Sequence, residues 1–322
     1  MVPIETVGFA GSGLHRPECV LVSADCRLHV ADWRGGVTVI APDGASRTVL
    51  ARGDFSPRPN GVAIHPEGGW LLAHLGEADG GVYRLTEDGT LDPFLLEVDG
   101  VPLPPTNYVH IDAERRIWIT VSTRIRPRIA ACRPDCDDGF IVLVDGEGAR
   151  IVADGLGYTN ECLVHPRTGQ LFVNETFGRR LSRFDVAEDG TLANKTTVAR
   201  FGIGEFPDGL TFDEEDGIWV TSIVSNRVIR IAADGSRELV LDDGDANHVA
   251  WVEEAFSRGA LERRHLDTAT GRLKNISSLA FGGPDRKTAY LGCLQGDRIA
   301  HFRAGYAGFP PSHWAFGEGE AG

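Results

Sequence analysis

Six positions along this 322-residue chain carry side chains with oxygen donors, and each opens a short apolar segment. They are Glu18, Asn60, Asn107, Asn160, Asp208 and Asn275. Carboxylate and amide oxygens are the ligands that hard divalent cations prefer in proteins. Asn and Asp also open turns by bonding to their own backbone, so a purely local role is the competing interpretation. Cation binding is the chemistry that this set would support if the fold brings several of the side chains together.

The chain around these positions consists of six similar units. In unit four, YTNECLVHPRTGQLFVNET precedes RRLSRFDVAEDG, and in unit five, FPDGLTFDEEDGIWVTS precedes NRVIRIAADG. Short apolar runs separated by turns rich in Gly and Asp indicate antiparallel hairpins. The opening positions are 42, 47, 53, 48 and 67 residues apart, and a four-stranded propeller blade needs about 40–50 residues.

These units predict an all-β protein, a six-bladed β-propeller that forms a single domain over residues 1–322. We expect the N-terminal segment, Val2 to Phe9, to supply a strand to the last blade and so close the ring. The 40 glycines of the chain fit an architecture with many tight turns.

The first strand of each blade lines the channel of a propeller, so the six opening positions should converge at one end of that channel. Two of the six side chains are acidic, and burying Glu18 near Asp208 without a cation would be costly because like charges raise each other's pKa. No histidine stands at an opening position, which argues against a dedicated zinc site. One divalent metal ion is therefore expected, with Ca²⁺ first and Mg²⁺, Mn²⁺ or Zn²⁺ as alternatives.

Two units are longer than the others. In unit three the insertion runs from Thr123 to Asp138 and is basic, while unit six contains a segment over residues 248–266 with apolar residues at helical spacing. That spacing predicts a short helix, interrupted or capped at Gly259. Both insertions would act as lids if they lie at the mouth of the channel, and the alternative is that they are surface loops.

Composition restricts the class of partner. The net charge of −14 argues against a nucleic acid, and no apolar run is long enough to span a membrane. The first ten residues lack a basic start, which argues against a signal peptide and favours the cytoplasm. Free thiols are expected for the six cysteines, with pairing of Cys132 and Cys136 left open. The sequence carries no signal for the oligomeric state.

Several motifs of the chain resemble those of the SMP-30/gluconolactonase/LRE family. They are Pro17-Glu18, Asn107, Thr159-Asn160, Pro207-Asp208-Gly209 and the stretch NISSLAFGGPDRKTAYLG. The resemblance covers nearly the whole chain and implies a six-bladed propeller with one catalytic divalent metal. It further implies that Glu18, Asn160 and Asp208 are the metal ligands, that Asn107 lies near metal and substrate, and that Asp208 also serves as general base.

Members of this family typically open sugar lactones, and related propellers hydrolyse other esters or phosphoesters. The resemblance therefore implies a metal-dependent hydrolase, in which the metal polarises the carbonyl of a small-molecule lactone or ester and Asp208 takes a proton from water. Two alternatives stay open: an isomerase or lyase that uses the same metal and base, and a non-catalytic propeller that binds a ligand.

The chain departs from the family around the substrate. Pro105 stands where the sugar lactonases carry an arginine, and Tyr108 and Glu161 follow Asn107 and Asn160. These changes predict a substrate other than gluconolactone.

The candidate substrate-binding residues are Asn107, Tyr108, Glu161, Arg124 and His248, with Trp33 and His110 as further candidates for the pocket wall. In the unit-three insertion, Arg124, Arg126 and Arg128 are candidates to replace the missing cation for an anionic substrate.

Overall fold

The computed structural model describes residues 1–316, whose strands form six four-stranded antiparallel sheets, the blades of a propeller. In chain order the strands are β1 (Gly8–Ala10), β2 (Val20–Val22), β3 (Leu28–Asp32), β4 (Gly36–Ile40), β5 (Ser46–Leu50), β6 (Pro59–Ile64), β7 (Trp70–His74), β8 (Val82–Leu85), β9 (Leu91–Leu95), β10 (Glu97–Val98), β11 (Val101–Pro102), β12 (Thr106–Ile111), β13 (Ile117–Val121), β14 (Gly139–Asp145), β15 (Gly148–Leu156), β16 (Thr159–Val164), β17 (Leu171–Glu175), β18 (Arg180–Val186), β19 (Leu192–Arg200), β20 (Glu205–Phe212), β21 (Ile218–Val224), β22 (Arg227–Ile231), β23 (Arg237–Asp242), β24 (Ile276–Gly282), β25 (Thr288–Cys293) and β26 (Ile299–Arg303). The helices are α1 (Ala246–Ser257) and α2 (Arg263–Asp267), and 3-10 turns cover Ile4–Thr6, Arg128–Ala131 and Ser312–Ala315.

Blades one to five follow the chain, with β2, β6, β12, β16 and β20 as their inner strands. Blade six contains β24, β25 and β26, and its fourth, outer strand is β1 from the N-terminus. Gly8 of β1 lies opposite His301 of β26, and Ala10 lies opposite Ile299. The predicted all-β six-bladed propeller is confirmed, and so is closure of the ring by the N-terminal segment. A small hairpin of β10 and β11 between blades two and three was not predicted.

The core lies between neighbouring blades, because each blade covers an apolar face of the next. Strand β21 of blade five is buried along its whole length, which explains its nearly continuous apolar sequence, IWVTSIV. Trp219 of this strand packs edge-on against Phe281 of blade six, with ring centroids 5.0 Å apart. Such contacts fix the angle between blades and therefore the positions of their inner strands.

Both insertions lie at the end of the channel where the inner strands begin, called the upper end below. The first joins β13 to β14, and the second, with α1 and α2, joins β23 to β24. Cys132 of the first and Phe256 of α1 are buried in one apolar cluster with Phe206, the upper cluster. The predicted helix is confirmed and begins two residues earlier than expected. It ends before Gly259, whose φ of 61° lies in the left-handed region that favours glycine.

The C-terminal segment Phe309–Phe316 lies across the opposite, lower end of the channel. Ser312 Oγ donates a hydrogen bond to the Ile111 carbonyl at 2.5 Å, and Trp314 Nε1 donates one to the Val22 carbonyl at 2.6 Å. His313 Nε2 also bonds to the Val22 carbonyl, at 2.8 Å. The segment thereby covers a cavity of about 640 Å³ between the ends of the inner strands.

Within residues 1–316 no helix is both long enough and apolar enough to cross a membrane. The six cysteines are free thiols, so Cys132 and Cys136 do not pair.

The lower end makes stability depend on pH. Burial lowers the pKa of His313 to about 4 and the pKa of His110 to about 4, from an ordinary value of 6.5. A histidine whose folded pKa is depressed is protonated first in the unfolded chain, so the free energy of unfolding falls as the pH drops from about 6.5 to about 4. Above pH 6.5 these groups contribute no pH dependence.

We predict that His313→Gln makes the free energy of unfolding less dependent on pH between 6.5 and 4, because it removes one such group. The change in slope should be at most about 1.4 kcal/mol per pH unit. Denaturant unfolding at several pH values measures it, with His15→Gln, at an exposed histidine, as the matched control. Equal slopes in the two variants would contradict a buried, neutral His313.

Candidate active site

Four of the six opening residues meet in a cavity at the upper end of the channel. Glu18, Asn107, Asn160 and Asp208 line it, from blades one, three, four and five, and all four are buried. The volume of the cavity is about 180 Å³, below the roughly 300–1,000 Å³ of pockets for drug-sized ligands. The cavity therefore suits a small molecule.

β-Bulges place three of these side chains in the cavity. The register of β12 shifts between Thr106 and Tyr108, and equivalent shifts occur across Asn160 in β16 and across Asp208 in β20. A bulge inserts an unpaired residue, bends the strand and changes the direction of the side chain, and bulges are common beside active sites. The inner strands β6 and β24 shift register at the same place, so the bulge is a shared feature of the blades on which the cavity residues lie.

Hydrogen bonds from blade four fix the positions of Asn160 and Asp208. Asn160 Nδ2 donates to Thr176 Oγ1 at 2.9 Å, and Thr176 Oγ1 donates to the Pro207 carbonyl at 2.8 Å. Asn174 Nδ2 donates to the Asp208 carbonyl at 3.0 Å. Sequence reasoning missed Thr176, because a bond between blades leaves no mark in the spacing within one unit.

Glu18 is held where blade one meets blade six. Ser277 Oγ donates to the Glu18 carbonyl at 2.8 Å. A Cβ at Gly292 would lie 2.1 Å from the same carbonyl oxygen, so this close approach requires glycine. Arg16 Nε lies 3.3 Å from Glu18 Oε2, and its guanidinium stacks over Trp33 at 4.3 Å. Glu18 is therefore oriented by both its backbone and its charge.

The site concentrates buried negative charge. Burial, and then the neighbouring Glu18, raises the pKa of Asp208 well above its usual range. Burial also raises the pKa of Glu161 well above its usual range, with Asp208 and Glu18 adding to the shift, while the bond from the Leu210 N–H at 2.9 Å opposes it. The ionisation of Asp208 and Glu161 is thus disfavoured by burial and by neighbouring carboxyl groups, and a cation among them would offset this effect.

The donor groups fit a hard divalent metal. Asn107 Oδ1 is buried and has no hydrogen-bond partner within residues 1–316. The Asn160 amide donates through Nδ2, which leaves its carbonyl oxygen for a cation. Among the same residues no cluster of three or more His, Cys, Asp or Glu side chains is arranged to hold a metal. A metal in this cavity would thus need the amide oxygens besides the carboxylates of Glu18 and Asp208, a set typical of Ca²⁺ or Mg²⁺ rather than zinc.

The other two opening residues have structural roles. Asn275 Oδ1 accepts a hydrogen bond from the Val224 N–H at 2.7 Å, and its Nδ2 donates to the Leu266 carbonyl at 2.8 Å. Asn60 Nδ2 donates to the Asn107 carbonyl at 3.2 Å. Neither residue lines the upper cavity.

Of the five candidate substrate-binding residues, Asn107 lines the upper cavity, Glu161 lies close enough to be influenced by Asp208 and Glu18, and the other three lie elsewhere. Glu161 is buried on the bulge next to Asn160, and Tyr108, also buried, lines the lower cavity. His248 is on α1 beside the Trp251 ring. Arg124 makes a bidentate ion pair with Asp154, with both N–O distances at 2.8 Å.

The structure therefore does not bring Tyr108, Arg124 or His248 to the cavity that contains the carboxylates. From the same insertion as Arg124, Arg128 lines that cavity, as does Trp33. His110 lines the lower cavity. Tyr108 follows Asn107 on the same strand, and neighbouring side chains of a strand point in opposite directions. Arg124 is directed away from the cavity by its ion pair with Asp154.

We predict that Ca²⁺ raises the melting temperature of the protein, because a ligand that binds only the folded state stabilises it. At 100 times Kd the gain is about 2.7 kcal/mol, or about 4 °C for a chain of this length. Differential scanning calorimetry with and without EDTA measures it.

The variant Asp208→Asn should abolish this response. Without metal it should be at least as stable as the natural protein, because it removes a buried charge. Asp234→Asn, at an exposed turn of the same blade, is the control. An equal calcium response in Asp208→Asn would exclude Asp208 as a ligand.

Comparison with known proteins gives a family match. Residues 16–242, more than half of the chain, match the family described as the SMP-30/gluconolactonase/LRE-like region. The lactonase drp35 of Staphylococcus saprophyticus is 24% identical over 207 residues, which are 59% of this chain and 59% of that protein. The match therefore spans less than two thirds of the length of that lactonase.

Solved structures share the fold. A gluconolactonase from Xanthomonas campestris superposes with a TM-score of 0.66 at 18% identity, covering 91% of this chain and 87% of that one. Regucalcin from Agrobacterium tumefaciens, a calcium-binding protein, superposes with a TM-score of 0.67 at 15% identity, covering 94% and 96% of the two chains. At these identities the likeness establishes the architecture alone.

Proposed function

The chain belongs to the SMP-30/gluconolactonase/LRE-like family, and we propose that it is a metal-dependent hydrolase that opens the ring of a lactone or a related ester. The observation that carries this proposal is the meeting of Glu18, Asn107, Asn160 and Asp208 in one small cavity. The similarity to a named lactonase supports the same class of reaction.

The metal would be held by Glu18, Asn160 and Asp208, with Asn107 beside it. When bound, a divalent cation supplies Lewis-acid polarisation of the ester carbonyl and stabilises negative charge on its oxygen. Ca²⁺ is the metal we propose first, because the donors are all oxygen atoms, and the calcium-binding protein of the same fold supports that choice.

Asp208 is the proposed general base. Its carboxylate would take a proton from the attacking water while the water oxygen bonds to the carbonyl carbon. The C–O bond of the ring then breaks, and the proton passes to the departing ring oxygen, which gives a hydroxy acid. Burial and Glu18 raise the pKa of Asp208, and a carboxylate with a raised pKa accepts a proton more readily.

The two insertions would exclude bulk water from the reaction. Ile129 of the first insertion and Leu266 of α2 contribute apolar walls to the cavity. Across the mouth, Glu77 of blade two accepts from Arg263 of α2 at 2.9 Å and from Arg58 at 3.0 Å. The Arg263–Glu77 pair links α2 to blade two across the mouth of the cavity, which supports the role of a lid.

Two further expectations stay predictions from the sequence. They are a cytoplasmic location and a small-molecule substrate without nucleic-acid or membrane partners.

We predict that the protein, supplied with Ca²⁺, opens small lactones and that Asp208→Asn lowers kcat by about 100-fold or more, because both a ligand and the base are lost. Proton release at constant pH measures the rate, and mass spectrometry identifies the product. Asp234→Asn should keep the natural rate.

A product that gains the mass of one water molecule is expected. A product of unchanged mass would favour the isomerase or lyase alternative. Binding without turnover across lactones, aryl esters and phosphoesters would favour the non-catalytic propeller.

A further inference from the structure

One cation in the upper cavity lacks a partner. Of the four arginines that line the cavity, Arg16 pairs with Glu18, and Arg58 and Arg263 pair with Glu77. The fourth, Arg128, has its Nη1 atom buried without a hydrogen-bond partner within the described chain. Buried charged donors in folded proteins are almost always paired, so an unpaired one in a cavity indicates a ligand.

The fold holds Arg128 in place. The residue begins the 3-10 turn Arg128–Ala131. Ala131, the last residue of the turn, and Cys132, which follows it, are both buried in the upper cluster. At the base of the insertion, the Arg124 N–H donates to Asp138 Oδ2 at 2.8 Å, and the Arg124 guanidinium forms the bidentate ion pair with Asp154. Arg124 thus positions the insertion, and Arg128 is presented on a packed element, which reduces the entropy lost when a ligand binds.

The charges around Arg128 select for an anion. The acidic groups of the cavity that act on it are Glu18 and Asp208. Once a divalent cation occupies those two carboxylates, the positive charge of Arg128 is no longer balanced by them. A planar guanidinium matches a carboxylate through two parallel hydrogen bonds.

We propose that Arg128 binds a carboxylate carried by the substrate, so that the enzyme acts on anionic lactones and releases hydroxy dicarboxylates. This inference rests on the proposed function for the reaction and on Arg128 for the class of substrate. The cavity of about 180 Å³ limits the substrate to a small ring.

The test compares two γ-lactones that differ in one group on the carbon next to the ring oxygen. 5-Oxotetrahydrofuran-2-carboxylate carries a carboxylate there, and γ-valerolactone carries a methyl group. In Arg128→Gln, kcat/KM for the carboxylate lactone should fall about 10- to 100-fold, mainly through KM, because a charge-assisted pair is lost. The loss for γ-valerolactone should be smaller, so that the ratio of the two kcat/KM values falls about 10-fold or more, and Arg128→Lys should be intermediate for the anionic lactone.

Arg126→Gln is the matched control, since Arg126 is an exposed arginine of the same insertion. It should behave as the natural protein with both lactones. Equal losses in Arg126→Gln and Arg128→Gln, or a natural enzyme that prefers γ-valerolactone, would overturn the proposal. Thermal melting of each variant establishes that it is folded.

Calorimetry separates this proposal from the proposed function, because it needs no turnover. In the presence of Ca²⁺, 2-hydroxyglutarate, the opened form of the carboxylate lactone, should bind the natural protein about 10-fold or more tightly than it binds Arg128→Gln. If neither lactone is opened, the proposed function fails, and this difference in binding still supports an anion site at Arg128. Equal affinities of the two proteins for 2-hydroxyglutarate would rule out an anion site at Arg128.

Discussion

The pairing of β1 with β26 is the constraint on which the rest of this structure depends. A four-stranded blade has two apolar faces, and only a closed ring covers both faces of every blade without exposing a long edge. Closure also joins blade six to blade one, where Ser277 and Gly292 contact the backbone of Glu18. The position of Glu18 relative to Asp208 therefore depends on a hydrogen-bonded contact between the two ends of the chain.

Closure creates a difficulty at the upper end, because it buries carboxyl groups from different blades near one another. Burial and neighbouring carboxyl groups raise the pKa values of Asp208 and Glu161, and Arg16 offsets part of the charge of Glu18. Groups that disfavour the folded state in this way are typical of functional sites, where stability is lower than packing alone would allow. The bulges in β12, β16 and β20 have the same character, since each interrupts a ladder of hydrogen bonds at a residue that faces the cavity.

Size does not identify the candidate site in this molecule. The lower cavity is larger, at about 640 Å³ against about 180 Å³, and its walls are mainly apolar strand ends covered by the C-terminal segment. The upper cavity is smaller but has carboxylates, amide oxygens and arginines on packed elements. The chemistry of the donors, rather than volume, therefore identifies the upper cavity as the candidate site.

The sequence by itself determined the architecture and the axial positions, because both follow from local spacing. Six units of similar length predict six blades, an apolar run at helical spacing predicts α1, and equivalent positions in the units predict where Asn107, Asn160 and Asp208 meet. Which neighbours join them was decided only by the tertiary structure. Thr176 acts across a blade interface, Arg128 alone of the three arginines named in the insertion lines the cavity, and Tyr108 lines the other end of the channel. Such contacts depend on bulges and on the packing of blades, where a shift of one residue moves a side chain to the opposite face, and neither leaves a periodic signal in the chain.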